Sequence, residues 1–227
     1  PEDWRRANVV PIYKAGDRGK AKNYRPVSLT CQLCKVFERL VRDELVEHLE
    51  GNGLLKGMQH GFRKGWSCLT NLLFFLERVT EELDDGGNVD VIYLDFAKAF
   101  DKVPHQRLLG KLERYGVWDR VLAWIRGWLL NRWQRVGVRG HWLGWRRVMS
   151  EIPQGSVLGP VLFLVFIDDL EEGLMSEVLK FADDTKIFRR VDSERDREVL
   201  QKDLDRLVQW SEVWQMRFNV DKCKVMH

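Results

Sequence analysis

Leu179-Lys180-Phe181-Ala182-Asp183-Asp184-Thr185-Lys186-Ile187-Phe188 is the stretch on which the fold turns. Two apolar, strand-like arms flank adjacent carboxylates, and the small Ala182 stands where the backbone must turn tightly. Like charges side by side repel each other. A divalent cation between the arms reverses that electrostatics and keeps both carboxylates ionised. An Asp-Asp pair is also ordinary surface-turn chemistry, so alone it fits either account.

A second acidic site lies upstream. Val89-Asp90-Val91-Ile92-Tyr93-Leu94 reads as a largely buried strand ending in Asp95, where an unpaired acid is costly. If that strand lies beside the Phe181 to Phe188 hairpin, Asp95 and Asp183 converge and hold two Mg²⁺ ions about 4 Å apart, as a phosphoryl-transfer clamp requires. Oxygen donors, substrate phosphates and water together suit Mg²⁺.

Tyr93-Leu94-Asp95-Phe96-Ala97-Lys98-Ala99-Phe100-Asp101-Lys102-Val103-Pro104-His105, taken with Phe181-Ala182-Asp183-Asp184, resembles the two catalytic motifs of reverse transcriptases. Between them, Ile152-Pro153-Gln154-Gly155-Ser156-Val157-Leu158-Gly159-Pro160 resembles the third signature of that family's palm. Motif order and spacing are similar to those of non-LTR, LINE-type retrotransposons of the jockey and chicken-repeat group.

With 227 residues, 44% of them apolar, the chain is long enough for one large domain or two lobes. Its net charge is only +3, but before Thr30 Arg5, Arg6, Lys14, Arg18, Lys20, Lys22 and Arg25 face only Glu2, Asp3 and Asp17. The basic surplus sits at the front. Without a signal peptide or an apolar run of spanning length, the expectation is a soluble intracellular protein with no membrane partner. Four cysteines suit a reducing compartment; Cys31 and Cys34 have zinc-like spacing but no second pair, which leaves buried or free thiols. Starting without Met and ending after a strand-like run, the chain reads as cut from something longer.

Helical spacing marks Lys35 to Glu50, with Val36, Phe37, Leu40, Val41, Leu45 and Leu49 apolar and Gly51-Asn52-Gly53 as the stop. After the loop Gln59-His60-Gly61-Phe62-Arg63-Lys64-Gly65-Trp66, Ser67 is a plausible N-cap for a helix burying Leu69, Leu72, Leu73, Leu76, Val79 and Leu83. Two more helices carry Leu108, Leu109, Leu112 and Tyr115, then Val121, Leu122, Trp124, Ile125, Trp128 and Leu129. A hairpin turning at Gly140 follows, and its tryptophans are better explained by packing than by base stacking. Ser193 to Asp196 resembles a capping box for a helix with Val199, Leu200, Leu204, Leu207, Val208 and Trp210 on one face.

The resemblance implies an α/β (α+β) right-hand polymerase fold of fingers and palm, with an antiparallel palm sheet backed by helices. Residues 1–88 would be mainly fingers and 89–227 mainly palm with a fingers insertion. A thumb would lie beyond His227 and an endonuclease before Pro1, both in a longer polyprotein. It further implies RNA-directed DNA synthesis from a primer 3′-OH in retrotransposon copying, on an RNA template with a DNA primer and dNTPs, in the nucleus. Asp95 and Asp183 would hold two Mg²⁺ ions, with Mn²⁺ as a substitute; Asp184 would support them and Phe96 would add its backbone carbonyl. Pro11 to Lys14 and Tyr24 to Pro26 are similar to the fingers motifs in which Lys14 and Arg25 grip phosphates. Gln154 and Gly155 would meet nucleotide and template. Phe100 matches an aromatic steric gate against a 2′-OH, or is simply core. Lys222, in Asn219-Val220-Asp221-Lys222, matches a lysine placed to act as general acid, or is a solvated turn residue.

Some residues depart from the family pattern. Glu151 stands where Gly is usual, Leu164 where Asn is frequent, and Trp66 where a basic or small residue is commoner. Glu151 and Trp66 support a rival in which a degenerate copy binds RNA–DNA without chemistry, against which the intact Asp95, Asp183 and Asp184 stand; another Mg²⁺-dependent nucleotidyl transferase on a similar palm is a second.

Overall fold

The computed structural model describes residues 1–227. In chain order its first half comprises β1 (Arg6–Tyr13), β2 (Tyr24–Leu29), α1 (Gln32–Gly51), α2 (Cys68–Asp84), β3 (Val89–Leu94), α3 (Ala99–Lys102) and α4 (His105–Arg114). Then come α5 (Asp119–Leu129), β4 (Trp133–Val138), β5 (His141–Trp142), β6 (Arg146–Arg147), α6 (Gly159–Ile167), β7 (Glu177–Phe181), β8 (Asp184–Arg190), α7 (Glu194–Trp214) and β9 (Lys224–Met226). No helix is long and apolar enough to cross a membrane. The chain divides into two units, one of residues 1–54 and 103–163 and one of residues 55–102 and 164–227.

In the first unit β1 pairs antiparallel with β2 and parallel with β4, and β5 and β6 both pair with β4. Leu45, Leu49, Leu108, Leu109, Leu112, Ile125 and Leu129 are buried, as helical spacing predicts for α4, α5 and the second half of α1. The first half of α1 is turned the other way. Val36, Phe37 and Leu40 are exposed, and the inward residues are Cys34 and Glu38. What orients the helix is polar: the buried Glu38 carboxylate accepts hydrogen bonds from Trp128 Nε1 (3.1 Å) and from the backbone N–H groups of Val157 (2.7 Å) and Leu158 (3.2 Å). A carboxylate supplied with three donors can be buried at acceptable cost, and an apolar residue cannot replace those bonds. Burial, with Glu38 alongside, pushes the Cys34 thiol up to about 12, so it stays protonated.

The tryptophans of the hairpin also depart from expectation. Trp128 is buried, but Trp133, Trp142 and Trp145 are 43%, 47% and 39% exposed. The turn itself follows the sequence, with Arg139 and Gly140 both at positive φ as a two-residue type I′ turn requires.

The second unit holds a sheet in the order β7-β8-β3-β9, antiparallel throughout, with α2 and α7 packed on it. Phe75, Val89, Val91, Leu179 and Phe188 form its core, Phe75 meeting Phe188 edge to face at 5.2 Å. Here too a helix faces inward differently from its leucine spacing: Leu69, Leu72, Leu73, Leu76 and Leu83 are exposed, while Asn71 and Phe75 are buried. Apolar residues ring α2 too widely for periodicity to select a face. Asn71 Nδ2, donating to the Lys180 carbonyl at 3.2 Å, selects it instead.

Both helix starts follow the sequence. Ser67 and Thr70 exchange side-chain and backbone hydrogen bonds at the head of α2, as do Ser193 and Asp196 at α7. Along α7, Leu200 and Leu207 are buried, Val208 is exposed, and Asp203 lies inward, accepting from the N–H groups of Met175 and Ser176.

Candidate active site

In the second unit strand register brings the acidic residues to neighbouring backbone positions. β3 and β8 run antiparallel with Leu94 opposite Thr185, so one step further along brings Asp95 alongside the Asp183–Asp184 turn. Phe181 pairs with Asp184, which leaves Ala182 and Asp183 as a two-residue hairpin loop. Ala182 has φ +55° and Asp183 is not at positive φ, the pattern of a type II′ turn, whose first position favours glycine.

Two hydrogen bonds with Gln59 hold that turn, and a third fixes the Gln59 side chain itself. Buried Gln59 accepts from the Ala182 N–H (2.8 Å) and the Gly61 N–H (2.7 Å) through Oε1, and donates through Nε2 to the Ala182 carbonyl (3.2 Å). Met58 and His60 bond the backbone of Lys180 on either side, closing the edge of β7. Gly61 packs directly under the loop: a Cβ there would overlap the Ala182 nitrogen and sit 2.9 Å from its Cα. In the sequence Gln59 and Gly61 are simply part of the loop Gln59 to Trp66. Only their pairing with a turn more than 120 positions later reveals their part.

Asp95 is anchored from the end of the chain. Its carbonyl accepts from the Asn219 N–H (2.7 Å), and Ala97 N–H donates to the Arg217 carbonyl (2.8 Å). In this bridge Phe96 faces Phe218 without using its own N–H or C=O. The Phe96 ring stacks on Phe218 at 4.7 Å. Lys222 Nζ donates to both carboxylate oxygens of Asp95 at 3.1 Å, so an ammonium balances that charge. Phe100 is half-buried, with its ring 6.4 Å from the more exposed Phe62.

No three carboxylate, imidazole or thiol side chains converge as a metal cage. The donors present nonetheless suit Mg²⁺, which takes oxygen ligands, keeps waters and uses one or two carboxylates. A cation already stands at Asp95, in the form of the Lys222 ammonium.

The other expected residues lie in the first unit. Lys14 and Arg25 are exposed at the β1–β2 hairpin, where Lys14 N–H donates to the Asn23 carbonyl and Arg25 pairs with Ile12. The Gln154 carbonyl accepts from Ser28 N–H at 2.8 Å, laying the Gln154-Gly155 loop on β2. Gly155 has φ +101°, and a Cβ would come 3.0 Å from the Ser28 carbonyl oxygen. Glu151 holds φ +131°, a region that favours glycine and strains any other residue. Its carbonyl accepts from buried His105 Nε2 at 2.8 Å.

Burial holds His60 and His105 below the usual histidine range, with Arg63 and Lys186 adding to the effect at His60 and Arg132 at His105. Both are therefore neutral in the fold, whereas an unfolded chain takes up protons near pH 6.5. Stability is expected to be full above pH 6.5 and to fall below it, by up to about 1.4 kcal/mol per pH unit for each ring. Urea midpoints at pH 7.5, 6.5 and 5.5 check this; a flat series contradicts it.

A family model described as reverse transcriptase (RNA-dependent DNA polymerase) matches residues 12–227. The RNA-directed DNA polymerase from mobile element jockey of Drosophila melanogaster is 30% identical over 235 residues, covering 98% of this chain and 25% of that protein. The probable RNA-directed DNA polymerase from transposon BS of the same fly is 32% identical over 177 residues, covering 75% of this chain and 19% of that protein. The chain thus spans a quarter or less of these relatives. Among solved structures, apo telomerase from Candida tropicalis matches with a TM-score of 0.72 at 11% identity, over 99% of this chain and 45% of that one.

Proposed function

The chain belongs to the reverse transcriptase (RNA-dependent DNA polymerase) family, and from that premise we propose that it adds deoxynucleotides to a primer 3′-hydroxyl on an RNA template. The observation that carries this is the β3–β8 register, which sets Asp95 beside the Asp183–Asp184 turn. In this reading residues 1–88 serve mainly as fingers and residues 89–227 mainly as palm with a fingers insertion. RNA, a DNA primer and dNTPs are its partners, endonuclease and thumb segments of a longer polyprotein flank it, and the work is done in the nucleus.

Asp95 and Asp183 would hold two Mg²⁺ ions, or Mn²⁺ as a substitute, with Asp184 and the Phe96 carbonyl assisting. When bound, the metal supplies acidification of the primer hydroxyl and neutralises triphosphate charge. Lys14 and Arg25 bind the triphosphate as mobile charge and forked donor. Gln154 orients nucleotide and template, and Gly155 lets backbone approach closely. Lys222 gives a proton to the leaving pyrophosphate.

Phe100 closes the space a 2′-hydroxyl would need. Its ring is half-buried rather than sealed in the core, which supports that role. Phe100→Ala is expected to relax discrimination against ribonucleotides by about tenfold or more, since a filled pocket is what rejects an added hydroxyl. Single-nucleotide incorporation with paired dNTP and rNTP measures it, and unchanged selectivity contradicts the role.

RNA-templated primer extension, with and without Mg²⁺, tests the function as a whole, on the chain alone and within the longer polypeptide. Extension that needs the metal supports it; none in either setting overturns it in favour of a copy that binds RNA–DNA without chemistry. One observation favours that second reading, the strain at Glu151 beside the Gln154 loop.

A further inference from the structure

Residues 131–150 of the first unit contain Arg132, Arg135, Arg139, Arg146 and Arg147 and no Asp or Glu. Arg132 is buried, but Arg139, Arg146 and Arg147 are exposed on the β4–β5–β6 ribbon. The same ribbon presents the indoles of Trp142 and Trp145. The Arg135 guanidinium lies 4.6 Å from the centre of the first ring and 4.7 Å from that of the second, and its Nε donates to Asn8 Oδ1 at 2.8 Å. Trp142 is set in place from below, because Gly137 opposite it has no side chain: a Cβ there would come 2.7 Å from the indole Cε3.

Exposed apolar rings are costly in water, and a packing role would have buried them. A ribbon of exposed indoles and arginines that carries no carboxylate of its own matches a ligand that is anionic along its backbone and offers flat faces at intervals; the neighbouring Glu2 is paired at 3.1 Å with Arg6, whose guanidinium lies 5.7 Å from the centre of the Trp145 ring. Unstacked bases on a phosphodiester chain are that ligand. An acidic protein would satisfy the arginines but has no need of the indole faces.

We propose that this ribbon is a binding platform for single-stranded RNA, with bases stacking on Trp142 and Trp145 and phosphates meeting Arg139, Arg146 and Arg147. The choice of RNA over DNA rests on the RNA-directed function proposed above; the platform itself takes no part in the chemistry.

The test is the binding of a labelled, unstructured 15-nucleotide RNA to the chain across a salt series, read by anisotropy and by tryptophan fluorescence. Trp142→Ala with Trp145→Ala is expected to weaken binding about tenfold or more and to remove most of the quenching, while leaving the salt slope unchanged. The corresponding Phe variants restore affinity in part, and melting curves confirm that each variant is folded. Arg139→Gln with Arg146→Gln and Arg147→Gln should lower the salt slope by about 2, at roughly 0.7 per phosphate contact on a single strand. Asp95→Asn, which removes the proposed chemistry, should bind RNA as the parent does, so a failed polymerase assignment and a failed platform give different results. Unchanged affinity in folded Trp variants overturns the proposal. So does equal or tighter binding of DNA of the same sequence, or of polyglutamate, the latter pointing to a protein partner.

Discussion

Asp95→Asn is expected to cut RNA-templated primer extension by about a thousandfold or more while leaving the melting temperature nearly unchanged. The two effects separate because different interactions carry them. Asp95 contributes little to stability: its ion pair with Lys222 is between side chains 30% and 60% exposed, and screened pairs of that kind are worth about 0–1 kcal/mol. Backbone bonds from Asn219 and the sheet hold the residue in place whatever its side chain carries. Catalysis is another matter. An amide keeps one acceptor oxygen but loses the charge, and the interaction it would forfeit with the proposed divalent cation is worth several kcal/mol in the transition state. Extension rates at saturating dNTP, together with a thermal melt, check both halves. Near-normal extension by a folded variant would remove Asp95 from the site.

Gly61→Ala should damage stability and activity together. The added methyl overlaps backbone atoms of Ala182, which cannot swing aside as a side chain would. Either the Gln59–Gly61 segment or the acidic turn must shift, at about 3 kcal/mol of overpacking strain. A displacement of the turn moves Asp183, and misplacement of a catalytic group by about 1 Å is enough to cost about a hundredfold in rate. The measurement is a denaturant melt with extension assayed at equal folded fraction. A variant that melts and extends like the parent would mean that the turn tolerates movement and that Gln59 and Gly61 do not position it.

Much of this protein can be read from local pattern. β3 forms where an apolar run ends in Asp95, the acidic turn forms where a small residue separates two apolar arms, and both capping boxes form where their serines stand. Each depends on neighbours within a few positions, which sequence displays directly. The fingers-and-palm polymerase fold expected from the motifs agrees with the telomerase structures that the chain matches. The inward faces of α1 and α2 were not legible in this way. Leucine spacing favours one side of each helix, but Glu38 and Asn71 are bound by polar groups far along the chain, and those bonds choose the other side. The hairpin tryptophans escaped for a similar reason: composition says that indoles tend to be buried, not whether another element lies over them.

By itself, then, the sequence supplied the candidates for the chemistry proposed here: certain carboxylates, a lysine and a ring, and the order in which they occur. Tertiary structure alone decided the register that brings Asp95 to the Asp183 turn, the Gln59 and Gly61 clamp beneath it, and the exposed basic ribbon on the other unit. The reason is physical. Strand pairing, buried hydrogen bonds and solvent exposure are relations between residues distant in the chain, and no local window contains both partners.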